Sequence, residues 1–274
     1  MKKKITAILL ALALLFSFVP ATFAERDVSY EEGLARDLKA LGLFQGVSDT
    51  DFDLARQPKR SEAIVMLIRA LGKEAEAKSG TYSHPFRDVP AWADPYVGYA
   101  YENGLASGVS ATEFGSGEPI KDYTFLTFML RALGYSDAGG RDFSWDDPFP
   151  LASQIGLLAG RVDLDNFWRA DMVTVTYAAL YCTISTGTER LCEKLMAENA
   201  ISYDAFLGSY RLEVLEELGI RKELKAVDIY GLCSPSVFKI ETYDESGAGL
   251  AQGSGFFISP DGLAVTVEND GLQV

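Results

Sequence analysis

Two short stretches place an arginine and an acid where a helix should begin. Lys59-Arg60-Ser61-Glu62 precedes an apolar run from Ala63 to Ile68, and Trp168-Arg169-Ala170-Asp171 precedes a largely apolar one. An acid in the first turn of a helix agrees with the macrodipole, whereas an arginine there opposes it. The N–H groups of such a terminus, joined by a guanidinium fork, can instead hold an anionic ligand, a carboxylate above all. Arg60 and Arg169 are therefore candidate ligand residues. Ser61 stands beside the first, and Glu62 and Asp171 are placed to orient the arginines or to accept ligand hydroxyls. The plainer account makes the arginines solvated surface charges; their repeated placement argues against it. Trp92 and Trp168 are candidate stacking surfaces for a ligand ring, the alternative being aromatics that merely close the surface.

These residues recur because the chain repeats itself. Shifted by 62 residues, Gly42, Leu43, Gly46, Val47, Ser48, Thr50 and Phe52 fall on Gly104, Leu105, Gly108, Val109, Ser110, Thr112 and Phe114. Lys59 falls on Lys121 and Arg69-Ala70-Leu71-Gly72 on Arg131-Ala132-Leu133-Gly134, giving 12 identities over 31 positions without a gap. A third copy opens with Gly156-Leu157-Leu158-Ala159-Gly160 and leads to Phe167 and a helix from Ala170. Each copy reads as a short helix, a glycine turn, a polar loop and a second helix. Ala63, Leu67, Ala70 and Leu71 keep helical spacing, as do Phe125, Met129, Ala132 and Leu133. Gly72 and Gly134 are C-cap stops. In Phe86-Arg87-Asp88-Val89-Pro90, Asp88 suits a cap and Pro90 the first helical turn. A pair of small helices cannot bury its apolar face alone, so the copies must pack as one body.

Phe86-Arg87-Asp88-Val89-Pro90-Ala91-Trp92-Ala93, the Gly-Leu-x-x-Gly turns and Lys59-Arg60-Ser61-Glu62-Ala63 together resemble S-layer homology (SLH) repeats of bacterial surface proteins. The resemblance runs from about residue 27 to 183. It implies a mainly α fold with three SLH repeats in a pseudo-threefold bundle. It also implies binding of anionic, often pyruvylated, secondary cell-wall polysaccharide linked to peptidoglycan, with S-layer self-association as a further partner. The family's Thr-Arg-Ala-Glu-like motif maps onto residues 59–62 and 168–171. Copy 2 departs from it, with Asp122 in the arginine position, Thr124 in the acid position, and Lys121 left as the cation of that copy.

The first 24 residues carry Lys2, Lys3 and Lys4, an apolar run from Ile5 to Val19, and Ala21-Thr22-Phe23-Ala24, which reads as a secretory signal peptide cut after Ala24. No later run is long enough to span a membrane. Removing the three leader lysines takes 25 basic against 39 acidic residues to 22 against 39, a net of −17. Such a balance argues against nucleic acid and leaves local arginines to capture any anionic ligand. Cys182, Cys192 and Cys233 form no paired motif; one disulfide is available, with Cys182 and Cys192 the nearest pair, and one thiol is left over. His84, the single histidine, reads as a surface residue, and no metal or cofactor is implied. Asp49-Thr50-Asp51-Phe52-Asp53 imitates the start of a calcium loop, but Leu54 and Arg60 occupy the glycine and glutamate positions.

The expected divisions are a leader over 1–24, copies over 25–78, 79–138 and 139–185, a helical linker over 186–230 and a β tail over 231–274. In the linker Ser202 reads as an N-cap, and Leu191, Leu195, Ile201 and Phe206 as a broken apolar stripe. In the tail, residues 255–259 and 263–267 flank Pro260-Asp261-Gly262, a hairpin signal. The tail resembles the opening strands of trypsin-like serine proteases of the heat-shock-protease kind, whose following strand supplies the catalytic histidine. Asn269 stands in that position, so no catalytic residue is assigned and the chain reads as non-enzymatic, the alternative being a fragment of a wall-anchored protease. A purely structural S-layer subunit is the third reading. Strands without their barrel should be marginally stable.

Overall fold

The structure, a computed structural model, describes residues 26–158, 161–209, 214, 237–244, 246–257 and 264–266. The proposed leader, the Pro260-Asp261-Gly262 turn, Cys233 and Asn269 lie outside them. The described chain is mainly helical: α1 (Ser29–Ala40), α2 (Arg60–Ala70), α3 (Glu74–Ser79), α4 (Asp94–Glu102), α5 (Asp122–Ala132), α6 (Phe149–Gln154), α7 (Arg169–Ala179), α8 (Leu191–Ala197) and α9 (Tyr203–Gly208). Three strands follow, β1 (Val237–Tyr243), β2 (Gly249–Phe257) and β3 (Ala264–Thr266).

The second helix of each copy is apolar on nearly every face, and that decides its place. Ala63 through Ile68 of α2 and Phe125 through Leu130 of α5 are buried without a break, as is every residue of α7. A helix buried all round must sit at the centre. Accordingly α2, α5 and α7 contact one another pairwise. Each first helix packs on the second helix of a different copy: α1 on α7, α4 on α2, and α6 on α5. Truncating a wholly buried side chain here, such as Leu67, costs about 2–5 kcal/mol.

The glycine turns permit this interleaving. A Cβ on Gly46 would lie 2.2 Å from the Asp51 carbonyl oxygen, and one on Gly108 would lie 2.5 Å from that of Glu113. Positions 51 and 113 are equivalent under the repeat, so the loop folds back over its turn in the same way twice. Gly72 and Gly134 follow α2 and α5 with φ of +66° and +87°, the left-handed cap that glycine adopts without strain.

Three local expectations are corrected. Asp88 does not cap a helix: α4 begins at Asp94 with Pro95 in its first turn, and Asp88 accepts N–H bonds from Phe114, Gly115 and Ser116 at 2.7, 2.8 and 2.8 Å. It thereby ties the opening of copy 2 to its own loop. His84 is not a bare surface residue. Its Nδ1 accepts the Phe86 N–H at 3.2 Å, so its Nε2 donates to Asp94, also at 3.2 Å, and its ring stacks on Phe86. Cys182 and Cys192 are buried thiols rather than a disulfide.

The described part of the segment expected to be a linker belongs to the body. Leu191, Leu195, Ile201 and Phe206 are buried in the common core, and Ser202 caps α9 by accepting the Ala205 N–H at 3.1 Å. Ala200 and Leu195 lie against Gly72, while Tyr177 donates its hydroxyl to the Ser209 carbonyl at 3.0 Å. In the tail the sheet order is β1-β2-β3, antiparallel throughout. Val237 pairs with Phe256 and Tyr243 with Gly249, and Gly255 pairs with Thr266.

Candidate functional site

The two candidate arginines occupy equivalent places, but not free helix ends. The Arg60 and Ser61 N–H groups donate to the carbonyls of Glu118 and Ser116 at 2.9 and 3.3 Å. Those of Arg169 and Ala170 donate to Arg56 and Leu54 at 2.9 and 3.2 Å. Positions 54 and 56 map onto 116 and 118, so each helix start is satisfied by the loop of another copy. The N–H groups expected to await an anion are spent on joining copy 1 to copy 2 and copy 3 to copy 1. Satisfying them there removes the need for side-chain caps.

The guanidinium groups follow the same rule. Arg60 Nη2 donates to the Ser107 carbonyl at 2.8 Å, and the group lies 4.9 Å from the ring centroids of both Phe114 and Phe128. Arg169 Nε and Nη2 donate to the carbonyls of Phe52 and Gln45 at 3.0 and 3.1 Å, over the Phe44 ring. Burial pulls Arg60 down to about 10, with the nearby Arg131 charge adding to the effect. Burial also lowers Arg169, against the field of Glu62. Both stay cationic at neutral pH.

The acids are held by other arginines than expected. Glu62 takes a two-pronged bond from Arg56 at 2.8 Å on each oxygen and reaches back to the Lys59 N–H at 2.8 Å. Asp171, fully buried, takes the same fork from Arg26 at 2.7 and 2.8 Å and the Trp168 N–H at 2.7 Å. The backbone half of each arrangement is that of a capping box. Burial pushes the Glu62 carboxyl up, but the Arg56 fork and the Lys59 N–H outweigh it and hold it below the usual range.

One groove gathers part of the expected set. A cavity of about 190 Å³ is lined by Arg169, Glu62 and Trp92 together with Arg56, Arg69 and the turn around Gly46. Trp92 is 54% exposed. Arg169 leaves Nη1 unspent, and Arg69 has a buried Nε without a hydrogen-bond partner. Arg56 is also paired with Asp53 and Arg69 with Glu74, so of the three arginines in the lining Arg169 is the one with no carboxylate bonded to it among the described residues. The remaining candidates lie elsewhere. Ser61 is buried and donates its hydroxyl to the Ser116 carbonyl at 2.8 Å. Lys121 is exposed, its ammonium 5.8 Å from the Tyr123 ring. Trp168 lies under Arg26 at 5.6 Å, and Asp171 is closed off beside it. Tyr30, equivalent to Trp92, is covered by Arg161 at 3.8 Å. Arg56 and Arg69 were not singled out from the sequence; the recurrence of Arg69 as Arg131 was the signal for the second.

Among the described residues no helix is long and apolar enough to cross a membrane. No family model matches the chain. The chain is similar to a cell surface protein of Thermoanaerobacter kivui, 34% identical over 170 residues, which cover 58% of this chain and 22% of that protein. It is 28% identical over 142 residues to a surface layer protein of Brevibacillus choshinensis, covering 48% and 13%. An endoglucanase of Bacillus sp. strain KSM-635 is 31% identical over 110 residues, covering 40% and 11%. The similarity is thus chiefly to proteins of the cell-surface and surface-layer type, through segments that are 11% to 22% of their lengths.

Proposed function

We propose that the chain is an anchoring module of the SLH type. Its three copies close into a pseudo-threefold bundle that binds anionic secondary cell-wall polysaccharide without covalent bonds at the bacterial surface. The observation that carries this reading is the groove where Arg169 of copy 3 meets copy 1 and Trp92 of copy 2. There Arg169 is fixed and desolvated with Nη1 unspent, Arg69 keeps a buried Nε without a hydrogen-bond partner, and the exposed Trp92 offers a face for a sugar ring. A carboxylate on a saccharide is the group such donors hold best. The interleaved helices support the pseudo-threefold reading, since α2 and α7 receive equivalent carbonyls from the next copy. Relatives named as cell surface and surface layer proteins support the location. The endoglucanase supports a module carried by proteins of differing activity, and no catalytic role is proposed for this one. For the tail, the antiparallel order β1-β2-β3 supports the reading as opening strands of a trypsin-like barrel.

The test is sedimentation of residues 25–274 with purified sacculi that retain or lack their secondary polymer. Binding should require the polymer, disappear in Trp92→Ala and weaken in Arg169→Lys. Trp92 is exposed enough that its loss should leave the thermal midpoint unchanged, which separates ligand contact from folding. Polymer-independent binding, or equal binding by Trp92→Ala, overturns the assignment.

A further inference from the structure

A second cavity lies in copy 2 and shares no lining residue with the groove. Its volume is about 520 Å³, within the range of small-molecule sites, roughly 300–1,000 Å³. The turn over 103–107 and the stretch over 134–138 line it, with Tyr101 and Arg131. Arg131 and Asp137 are its only charged lining residues. Arg131 donates Nε and Nη2 to the two Asp137 oxygens at 2.9 and 2.6 Å, so the pair is neutral as a unit.

What remains is a set of mixed donors and acceptors. Arg131 Nη1 reaches the Leu105 carbonyl only at 3.4 Å and keeps an N–H to give. Asn103 spends Nδ2 on the Tyr99 carbonyl at 2.9 Å and keeps Oδ1 as an acceptor. Ser107 adds a hydroxyl. Sugar hydroxyls donate and accept at once, so they match such a surface, whereas an anion would meet no net charge among the lining side chains. Tyr101 is 41% exposed and stands almost perpendicular to the Phe86 ring at 5.3 Å, which holds it in place for stacking. Copy 1 has Lys39 at the equivalent position, paired with Asp49. The exposed aromatic is therefore particular to copy 2 rather than demanded by the repeat.

We infer that this cavity is a site for an uncharged saccharide, packed on Tyr101 and hydrogen-bonded to Arg131, Asn103 and Ser107. It stands apart from the anionic groove, and its test does not use the cell wall. Amide spectra of the chain are recorded with millimolar chitotriose, cellotriose and mannotriose, and with trigalacturonate as the anionic comparison. At least one uncharged sugar should shift the amides of Asn103, Ser107 and Ser136 saturably, and trigalacturonate should not. Tyr101→Ala should weaken that binding about tenfold, as should Tyr101→Lys, which installs the residue of copy 1. Trp92→Ala should leave it unchanged. If none of the three sugars moves those amides, if both Tyr101 variants bind as well as the parent, or if trigalacturonate binds there more tightly, the inference fails.

Discussion

Replacing Arg60 separates the joining of copies from the holding of ligand, because its guanidinium points to copy 2 rather than into the groove. Its bond to the Ser107 carbonyl, at 2.8 Å, is charge-assisted and contributes about 1.5–3 kcal/mol. Its two ring contacts contribute about 0.5–1 kcal/mol each. Against these stands the burial that holds the group at about 10, a loss on the order of 3 kcal/mol. The balance is a net contribution of about 0–2 kcal/mol. Arg60→Ala should therefore lower stability by only about 1–2 kcal/mol, including the lost aliphatic stem. Arg60→Met, which keeps the stem between Phe114 and Phe128, should fall within about 1 kcal/mol of the parent. Urea midpoints followed by tryptophan fluorescence give the stabilities, and sacculus sedimentation gives the binding, which both variants should retain. Lost binding at unchanged stability would make Arg60 a ligand contact after all. A loss above about 3 kcal/mol in Arg60→Met would mean that the charge, not the stem, holds the junction.

Gly108→Ala should lower the thermal midpoint and cost about 2–3 kcal/mol, because its Cβ would meet Phe86 Cε1 at 2.3 Å and two backbone oxygens at 2.5 and 2.6 Å. Glu74 should give the body an acid-sensitive window. Burial pushes its carboxyl up, but bonds from Arg69, Lys78 and Tyr96 bring it down to about 2. A folded value below the unfolded 4.5 adds stability above that pH, up to about 3 kcal/mol, lost as pH falls through about 2; Glu74→Gln should be less stable at pH 7 and equal to the parent near pH 2. Cys182 is buried, and burial pushes its thiol up to about 12, so iodoacetamide at pH 8 should leave it unmodified in the folded protein and label it in urea, as peptide mass mapping would show.

The repeat was legible because it is written in residues with backbone duties. Gly46 and Gly108 are demanded by a loop that folds over its own turn, and Gly72 and Gly134 by left-handed caps, so their spacing betrays the copies directly. Helical periodicity located α2 and α5. It did not show that they lie at the centre, because counting one apolar face per helix passes over residues such as Ile64 and Ile68 that fill the others. Ser202 announced α9, yet nothing local showed that α8 and α9 belong to the body, since that depends on Ala200 meeting Gly72.

The sequence by itself determined which residues carry charge, where the second helices of copies 1 and 2 lie, and that three similar units must share a core. It also placed an arginine at the start of two helices. Only the tertiary structure decided what each faces, because a helix end is joined to a loop of another copy, distant in sequence and brought near by packing of α2, α5 and α7. That interleaving sends Arg60 and Ser61 into a junction and closes Asp171 under Arg26. It leaves Arg169 at the edge of a groove with Arg56, Arg69 and Trp92, residues whose separation along the chain gave no sign that they would meet.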